Sequence, residues 1–188
     1  RVLVDASGPL FIRVTFGGAI GGITISQSIV FYAHSPFIES TLEVRNSGMG
    51  VNWIRPMQIF FKHGTFENYS LSTGERGSLA DYSSTYPDGN AYRPQAWWAF
   101  IGRSGVLLFL QKPLGNISYV LLQDTPTYTT MANVGNETLI DSRDVQLTYK
   151  FRIYLLSKLD VSAAKAAADI FVAPPFATVK LPVAFLSA

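Results

Sequence analysis

The chain has 188 residues, 48% of them hydrophobic and only 15% charged, which is enough apolar material for one domain of ordinary size. Its 15 basic and 13 acidic residues give a net charge of +2 and form no run, which argues against binding to nucleic acid or to an anionic membrane surface. No apolar stretch approaches the roughly 20 residues of a membrane-spanning helix. The absence of cysteine excludes disulfides, thiolate nucleophiles and cysteine-bound metals.

The first third of the chain predicts strands. Thirteen Phe and nine Tyr are typical of β-structure, and period-two alternation runs through residues 10–16, 23–32 and 37–46. Another apolar stretch covers residues 51–62. The glycine-rich residues 17–22 lead into a strand and not into a helix, so they predict a hairpin connection and not a phosphate-binding loop.

Residues 62–95 form a polar insert between these strands and the next regular segment. The insert has no sustained period, and Gly, Pro, Ser, Asn and Asp mark repeated turns in it. Long connections without regular structure are uncommon in compact domains and are usually functional. The insert is therefore the first candidate for a functional surface, although part of it could equally be a hairpin.

Regular structure returns after the insert. Alternating apolar stretches lie at residues 95–101, 106–110, 118–123, 128–132 and 145–156. Alanine-rich residues 162–171, capped by Asp160 or Ser162 and followed by two prolines, predict one short helix near the C-terminus. The pattern predicts an all-β fold, an antiparallel β-sandwich, and supports no domain boundary within residues 1–188.

Several of these segments resemble a known family. The stretches "DASGPLFIRVTF", "ISQSIVFYAHSPFIESTLEVRN", "AWWAFIGRSGVLLFLQ", "LTYKFRIYLL" and "SAAKAAADIFVAPP" are similar, in this order, to galactose-mutarotase-like β-supersandwich domains. The chain looks particularly similar to that fold as it occurs in accessory domains of large glycoside hydrolases and polysaccharide lyases. It implies a supersandwich-like fold, and because the family's sandwich is usually larger, it implies that the chain is a fragment of a larger protein.

The resemblance also implies what a catalytic member would need, which is a pair of histidines and a late carboxylate around the sugar. The sequence departs from this pattern, because its only histidines are His34 and His63 and its late Glu is Glu137. His34 precedes a proline and fits a loop role. His63, at the start of the insert, is the better acid-base candidate, with Glu67 and Arg93 as the other weak catalytic candidates.

Carboxylates of the insert leave two further kinds of site open. A pair drawn from Glu67, Asp81 and Asp88 could hydrolyse a glycosidic bond, but spacing alone does not show that two of them face each other. The same residues with Asn90 and Asp124 could supply oxygen ligands to calcium. No compact Asp-x-Asp-x-Asp loop is present, so turn formation explains them better, and we predict neither a metal nor a cofactor.

Aromatic and polar side chains near the insert indicate a ligand-binding surface. Sugars bind through flat rings that stack on their C–H faces and through polar groups that take the hydroxyls. Trp97 and Trp98 are adjacent on one strand and point to opposite faces, so at least one is core, and Trp98 is preferred as the stacking residue. The predicted ligand-binding residues are Tyr82, Tyr86, Asp88, Tyr92, Arg93 and Trp98.

Three acceptor tripeptides for N-glycosylation begin at Asn68, Asn116 and Asn136. They lead us to expect an extracellular or cell-surface protein. The start at Arg1 suggests, separately, a processed protein or an excised piece of a larger one. The resulting interpretation is a non-catalytic, carbohydrate-associated module whose partners are carbohydrate or other domains of the same protein. A sugar-active enzyme (lyase, hydrolase or epimerase) and a purely structural surface domain remain the alternatives.

Overall fold

The computed structural model describes residues 2–48, 54–79, 90–135 and 145–172. Its strands are β1 Val2–Ser7, β2 Phe11–Ile20, β3 Ile23–Tyr32, β4 Phe37–Asn46, β5 Met57–Lys62, β6 Asn68–Leu71, β7 Arg76–Ser78, β8 Asn90–Tyr92, β9 Trp97–Gly102, β10 Gly105–Lys112, β11 Ile117–Asp124, β12 Tyr128–Gly135 and β13 Val145–Leu156. Among these described residues one α-helix, α1, spans Val161–Val172.

The strands form two antiparallel sheets. The large sheet has nine strands in the order β1-β2-β3-β4-β13-β10-β9-β6-β7, and the small sheet has four in the order β5-β12-β11-β8. The predicted all-β sandwich with one short helix near the C-terminus is confirmed. The open question about the insert is resolved for residues 68–78, which form the β6–β7 hairpin, whereas residues 80–89 lie outside the described ranges.

The main core lies between the two sheets. Phe100 and Phe109 of the large sheet pack with Leu122 and Met131 of the small sheet, and all four side chains are fully buried. Next to them, Phe61, Phe66 and Phe100 form an aromatic cluster with ring centroids 4.9 to 5.5 Å apart. Burial of such large apolar side chains is the principal favourable term for the sandwich, at about 25 cal/mol per Å² of apolar surface removed from water.

Helix α1 covers the other face of the large sheet. Ala164, Ala168 and Phe171 of α1 pack against the sheet face that contains Trp97 and Leu108. Of the two caps that the sequence allows, Asp160 and Ser162, the structure has Asp160, whose Oδ1 accepts a hydrogen bond from the backbone N–H of Ala163 at 3.0 Å. At the other end, the Lys112 ammonium donates to the carbonyl of Phe171, which satisfies one of the free carbonyls of the last turn.

The large sheet extends beyond the small sheet as a three-stranded part, β1–β3, which we call the wing. Its inner face continues the face that carries the core, because Ile25 and Gln27 of β3 pair with the buried Val44 and Leu42 of β4. None of the helices among the described residues has the length and apolar character needed to cross a membrane.

Candidate functional site

The strongest polar constellation combines His63 with Asp124 and Thr129. His63 Nδ1 lies 3.0 Å from Asp124 Oδ1, and the hydroxyl of Thr129 donates to the same carboxylate oxygen. The Asp124 side chain is fully buried, whereas 37% of the His63 side chain is exposed. Because a carboxylate only accepts hydrogen bonds, it favours the tautomer with the proton on Nδ1 and leaves Nε2 as an acceptor.

Local sequence explains why these groups meet. Asp124 and Thr129 are directly opposite each other at the ends of β11 and β12, where a tight turn joins the strands. Thr125 closes that turn, because its hydroxyl donates to the carbonyl of Tyr128 at 2.9 Å. His63 directly follows β5, and its backbone N–H donates to the carbonyl of Thr127, which brings the imidazole beside the carboxylate.

The sequence indicates His63 as the better acid-base candidate of the two histidines, but it does not identify Asp124 as the group that contacts it. Glu67, the carboxylate expected beside it, forms an ion pair with Arg103 at 2.5 Å and 42% of its side chain is exposed. The sequence indicates Asp124 only as one of several oxygen ligands open to calcium. The position of Asp124 at the end of a strand and before a Thr-Pro-Thr turn was the available signal, but the partner is 61 residues away in the chain.

Arg93 and Tyr92 lie on the other side of the insert. Arg93 is exposed, no described contact joins it to His63, and its carbonyl accepts a hydrogen bond from Gln95 Nε2 at 2.7 Å. The hydroxyl of Tyr92 lies 2.8 Å from that of Tyr69, and the two rings are 6.0 Å apart. The structure therefore does not bring the three weak catalytic candidates, His63, Glu67 and Arg93, into one described cluster.

Trp98 is a core residue in this structure. It has no exposed surface, and its ring stacks on Phe109 with centroids 3.8 Å apart. Trp97 is also buried, at 3% exposure, because α1 covers the opposite face of the sheet. Neither ring offers a face to a sugar here, which corrects the choice of Trp98 as a stacking residue.

The other predicted site residues are only partly described. Tyr82, Tyr86, Asp88 and Asn136 lie outside the described residues. Among the other acceptor sites, Asn68 is exposed, and Asn116 Nδ2 donates to the carbonyl of Thr148 at 3.2 Å. In the part of the chain that the structure describes, no three His, Cys, Asp or Glu side chains are grouped as metal ligands.

His34 supports the loop role expected for it. It is exposed and has a positive φ of 61°, a left-handed conformation that a turn can require. The imidazole of His34 has no hydrogen-bond partner among the described residues that would fix its tautomer. Of the two histidines, only His63 is organised by a buried group.

A polar centre that the sequence did not reveal lies at Gln95. Its fully buried side chain accepts hydrogen bonds from the hydroxyl of Ser72 at 2.9 Å and from the backbone N–H of Thr73 at 3.1 Å. The backbone carbonyl of Gln95 accepts a hydrogen bond from Gln111 Nε2 at 2.6 Å. Gln95 thus joins the β6–β7 turn to β10 and fixes the chain just before β9. Nothing in the local pattern distinguished it from a surface glutamine.

A second charged cluster joins β3, β4 and β13 on the helix side of the large sheet. Arg152 forms an ion pair with Glu39, and the hydroxyl of Tyr32 donates to Glu39 Oε2 at 2.7 Å. Burial alone would raise the pKa of the Glu39 carboxyl, but the hydrogen bonds from Tyr32 and Arg152 outweigh it and hold the pKa below its usual value of 4.5. The Arg152 guanidinium also lies over the rings of Phe37 and Phe171, at 4.6 and 4.9 Å. This cluster is a structural tie between strands and helix.

Comparison with known proteins identified similar folds only. No protein-family model matches the sequence, and no curated protein matches it. Among solved structures, a candidate aldose 1-epimerase from Escherichia coli K12 is similar over 81% of this chain and 67% of its own, with a TM-score of 0.46 and 9% identity. The Slr1438 protein from Synechocystis sp. PCC 6803 is similar over 84% of this chain and 66% of its own, with the same score and identity. About a third of each of those chains therefore has no counterpart here.

Proposed function

We propose that this chain is a carbohydrate-associated β-sandwich domain and that His63 is the centre of its ligand site. The observation that carries the proposal is the hydrogen bond between His63 Nδ1 and the buried Asp124. It leaves a partly exposed imidazole whose Nε2 has no partner among the described residues. An acceptor with a fixed orientation is suited to a sugar hydroxyl, and the ligand class comes from the resemblance of the sequence motifs.

The two histidines give a direct binding test. Sugars from a glycan panel are added to the protein, and the imidazole signals of His63 and His34 are followed by NMR. We expect a bound sugar to shift the signals of His63 and to leave those of His34 unchanged, because His34 lies in an exposed turn. Binding should be lost in His63→Ala and retained in the matched control His34→Ala. Absence of binding to every glycan, or equal loss in both variants, would contradict the proposal.

Proton transfer at a sugar is the second candidate function, and the buried position of Asp124 favours it. A carboxylate that orients imidazole through Nδ1 prepares Nε2 as a general base, and acid-base groups of this kind contribute about 10² to 10⁴-fold to a rate. Asp124 would be a positioning residue, because it acts through His63.

The catalytic candidate is tested separately from binding. Interconversion of the anomers of free sugars is followed by polarimetry for the wild type, His63→Ala and Asp124→Asn. We expect His63→Ala to lower the rate by at least about 100-fold, and Asp124→Asn to lower it less while altering the pH profile. A catalysed rate that survives His63→Ala would exclude this role, and a protein that binds sugars without turnover would leave the binding proposal intact.

We also propose that the protein is extracellular or at the cell surface, on the basis of the three acceptor sites in the sequence. Asn68 is the acceptor we expect to carry a glycan, since it is exposed, whereas the amide of Asn116 is engaged with a backbone carbonyl. Mass spectrometry of the protein isolated from its own source would show occupancy. Unmodified Asn68 together with an intracellular location would contradict this assignment.

A further inference from the structure

The wing has an apolar inner face that the small sheet does not cover. Its outer face is mixed, with the polar residues Arg13, Thr24, Ser26 and Ser28 beside the apolar Leu3, Phe11 and Val30. Where the structure describes its side chains, the inner face consists, apart from Gln27, of glycine and apolar residues, as the cross-strand pairs Val2 with Phe16, Val4 with Val14 and Ile12 with Phe31 show. A sheet with an apolar face is expected to have that face covered.

This inner face is exposed in the structure. Its most exposed residues are Val2, Val4, Ile12, Phe16, Ile20, Ile25 and Phe31, with exposed fractions between 38% and 74%. At about 150 Å² for each fully exposed side chain of this kind, these fractions give roughly 550 Å² of apolar surface. That is at the large end of the about 300–600 Å² covered by the largest apolar patch on a typical monomer, and such patches are often functional.

The one polar side chain in the middle of this face is already satisfied. Gln27 donates a hydrogen bond to the hydroxyl of the buried Ser40 at 3.0 Å, so its amide needs no water on that side. No charged residue occupies an inner-face position of β2 or β3. Covering the face would therefore neither bury an unpaired charge nor place like charges together.

The large sheet shows what kind of surface covers such a face. Further along the same face, Leu42 and Val44 are buried in the core that the small sheet helps to close. On this side of the large sheet the covering surface is an apolar sheet face, and the inner face of the wing is itself a surface of that kind. Its roughly 550 Å², with the half-buried neighbours Val14, Ile23 and Ile29, approaches the about 800 Å² that each partner contributes to a standard interface.

We propose that the inner face of the wing is a self-association surface, on which the wing of a second copy packs about a two-fold axis. Two-fold pairing of identical patches is the commonest form of protein assembly. The two inner faces pack sheet on sheet, about 10 Å apart, and the outer faces remain in water. A small net charge of +2 per chain opposes this association only weakly.

The test uses two neighbouring residues of β3 that point to opposite faces. Ile25 is on the inner face, and Thr24, on the outer face, is exposed and lies opposite Arg45. Molar mass is measured by sedimentation equilibrium over a range of concentrations for the complete chain and for Ile25→Glu and Thr24→Glu. We expect a dimer for the wild type and for Thr24→Glu. For Ile25→Glu the dissociation constant should rise by more than about 100-fold, because each dimer would bury two carboxylates.

Circular dichroism shows whether Ile25→Glu is folded. If it is not, a second pair of variants, at exposed positions of β1, makes the same test. Val4→Glu places the charge on the inner face of the edge strand, where 67% of the side chain is exposed, and Leu3→Glu places it on the outer face. Dissociation of the dimer by Val4→Glu but not by Leu3→Glu supports the proposal. A wild type that is monomeric at every concentration, or a dimer that both inner-face variants leave intact, overturns it. Open-ended aggregation would contradict the two-fold arrangement.

Discussion

Removal of the Asp124 carboxylate is the perturbation that tests the candidate site most directly. In Asp124→Ala, two hydrogen bonds to a fully buried charged acceptor are lost, those from His63 and Thr129. Hydrogen bonds to charged groups contribute about 1.5–3 kcal/mol each. The His63 side chain is 37% exposed and can regain water, which reduces its share. We therefore expect a loss of about 3–5 kcal/mol in the free energy of unfolding.

The pairwise part of this energy is measured by a double-mutant cycle of His63→Ala and Asp124→Ala in urea unfolding. The coupling free energy should be about 1.5 kcal/mol or more, since one partner is buried. The matched control is the Glu67–Arg103 pair, whose N···O distance of 2.5 Å is even shorter but whose Arg103 side chain is 89% exposed, so its coupling should be under about 1 kcal/mol. Equal coupling in the two pairs would refute the argument that burial organises His63.

Three further predictions concern stability. Glu39→Gln should lower the free energy of unfolding at neutral pH by about 1 kcal/mol. The folded-state pKa of Glu39 lies below 4.5, so the stabilisation by its carboxylate is present above pH 4.5 and is lost as the pH falls through the folded-state pKa. The greater stability of the wild type in urea unfolding should therefore disappear in acid. An advantage that persists unchanged in acid would contradict this. Tyr149→Phe should be neutral or stabilise the fold by about 1 kcal/mol, because burial raises the pKa of this tyrosine to about 12 and its hydroxyl has no hydrogen-bond partner among the described residues; a loss above 1 kcal/mol in chemical denaturation would show that the hydroxyl is bonded. Gly77→Ala should destabilise the β6–β7 hairpin by about 1–3 kcal/mol, since a Cβ there would lie 2.8 Å from the Tyr69 ring, whereas Gly8→Ala, with open space around it, should change thermal stability little.

The strands were predictable because alternation records which face of a sheet each side chain occupies. Residues 145–156 were predicted as one long strand and form β13 with the same bounds. The helix was predictable too, because an acidic cap, an alanine-rich run and a proline stop are local signals. The position of the helix was not predictable, since no local signal shows which sheet face a helix covers. The burial of both Trp97 and Trp98, one on each face of β9, was therefore not expected.

The candidate site was predictable only in part, for a geometrical reason. Glu67 was expected beside His63 because the two residues are close in the sequence, but the chain turns between them and Glu67 pairs with Arg103 instead. The residue that does meet His63 comes from a hairpin of the small sheet, 61 positions later. Contacts between strands that are distant in the sequence depend on strand order, which alternation does not encode.

The burial of Trp97 and Trp98 on opposite faces of β9 has a spectroscopic consequence. Trp97 lies under α1, and Trp98 lies between the two sheets with its ring on Phe109. The emission of Trp97 therefore reports release of the helix, and that of Trp98 reports separation of the sheets. Because the chain has a third tryptophan, Trp53, each reporter is read in a variant that keeps it as the single tryptophan, with phenylalanine at the other two positions. The melting curves of the two variants would then show whether the helix and the sandwich form one cooperative unit.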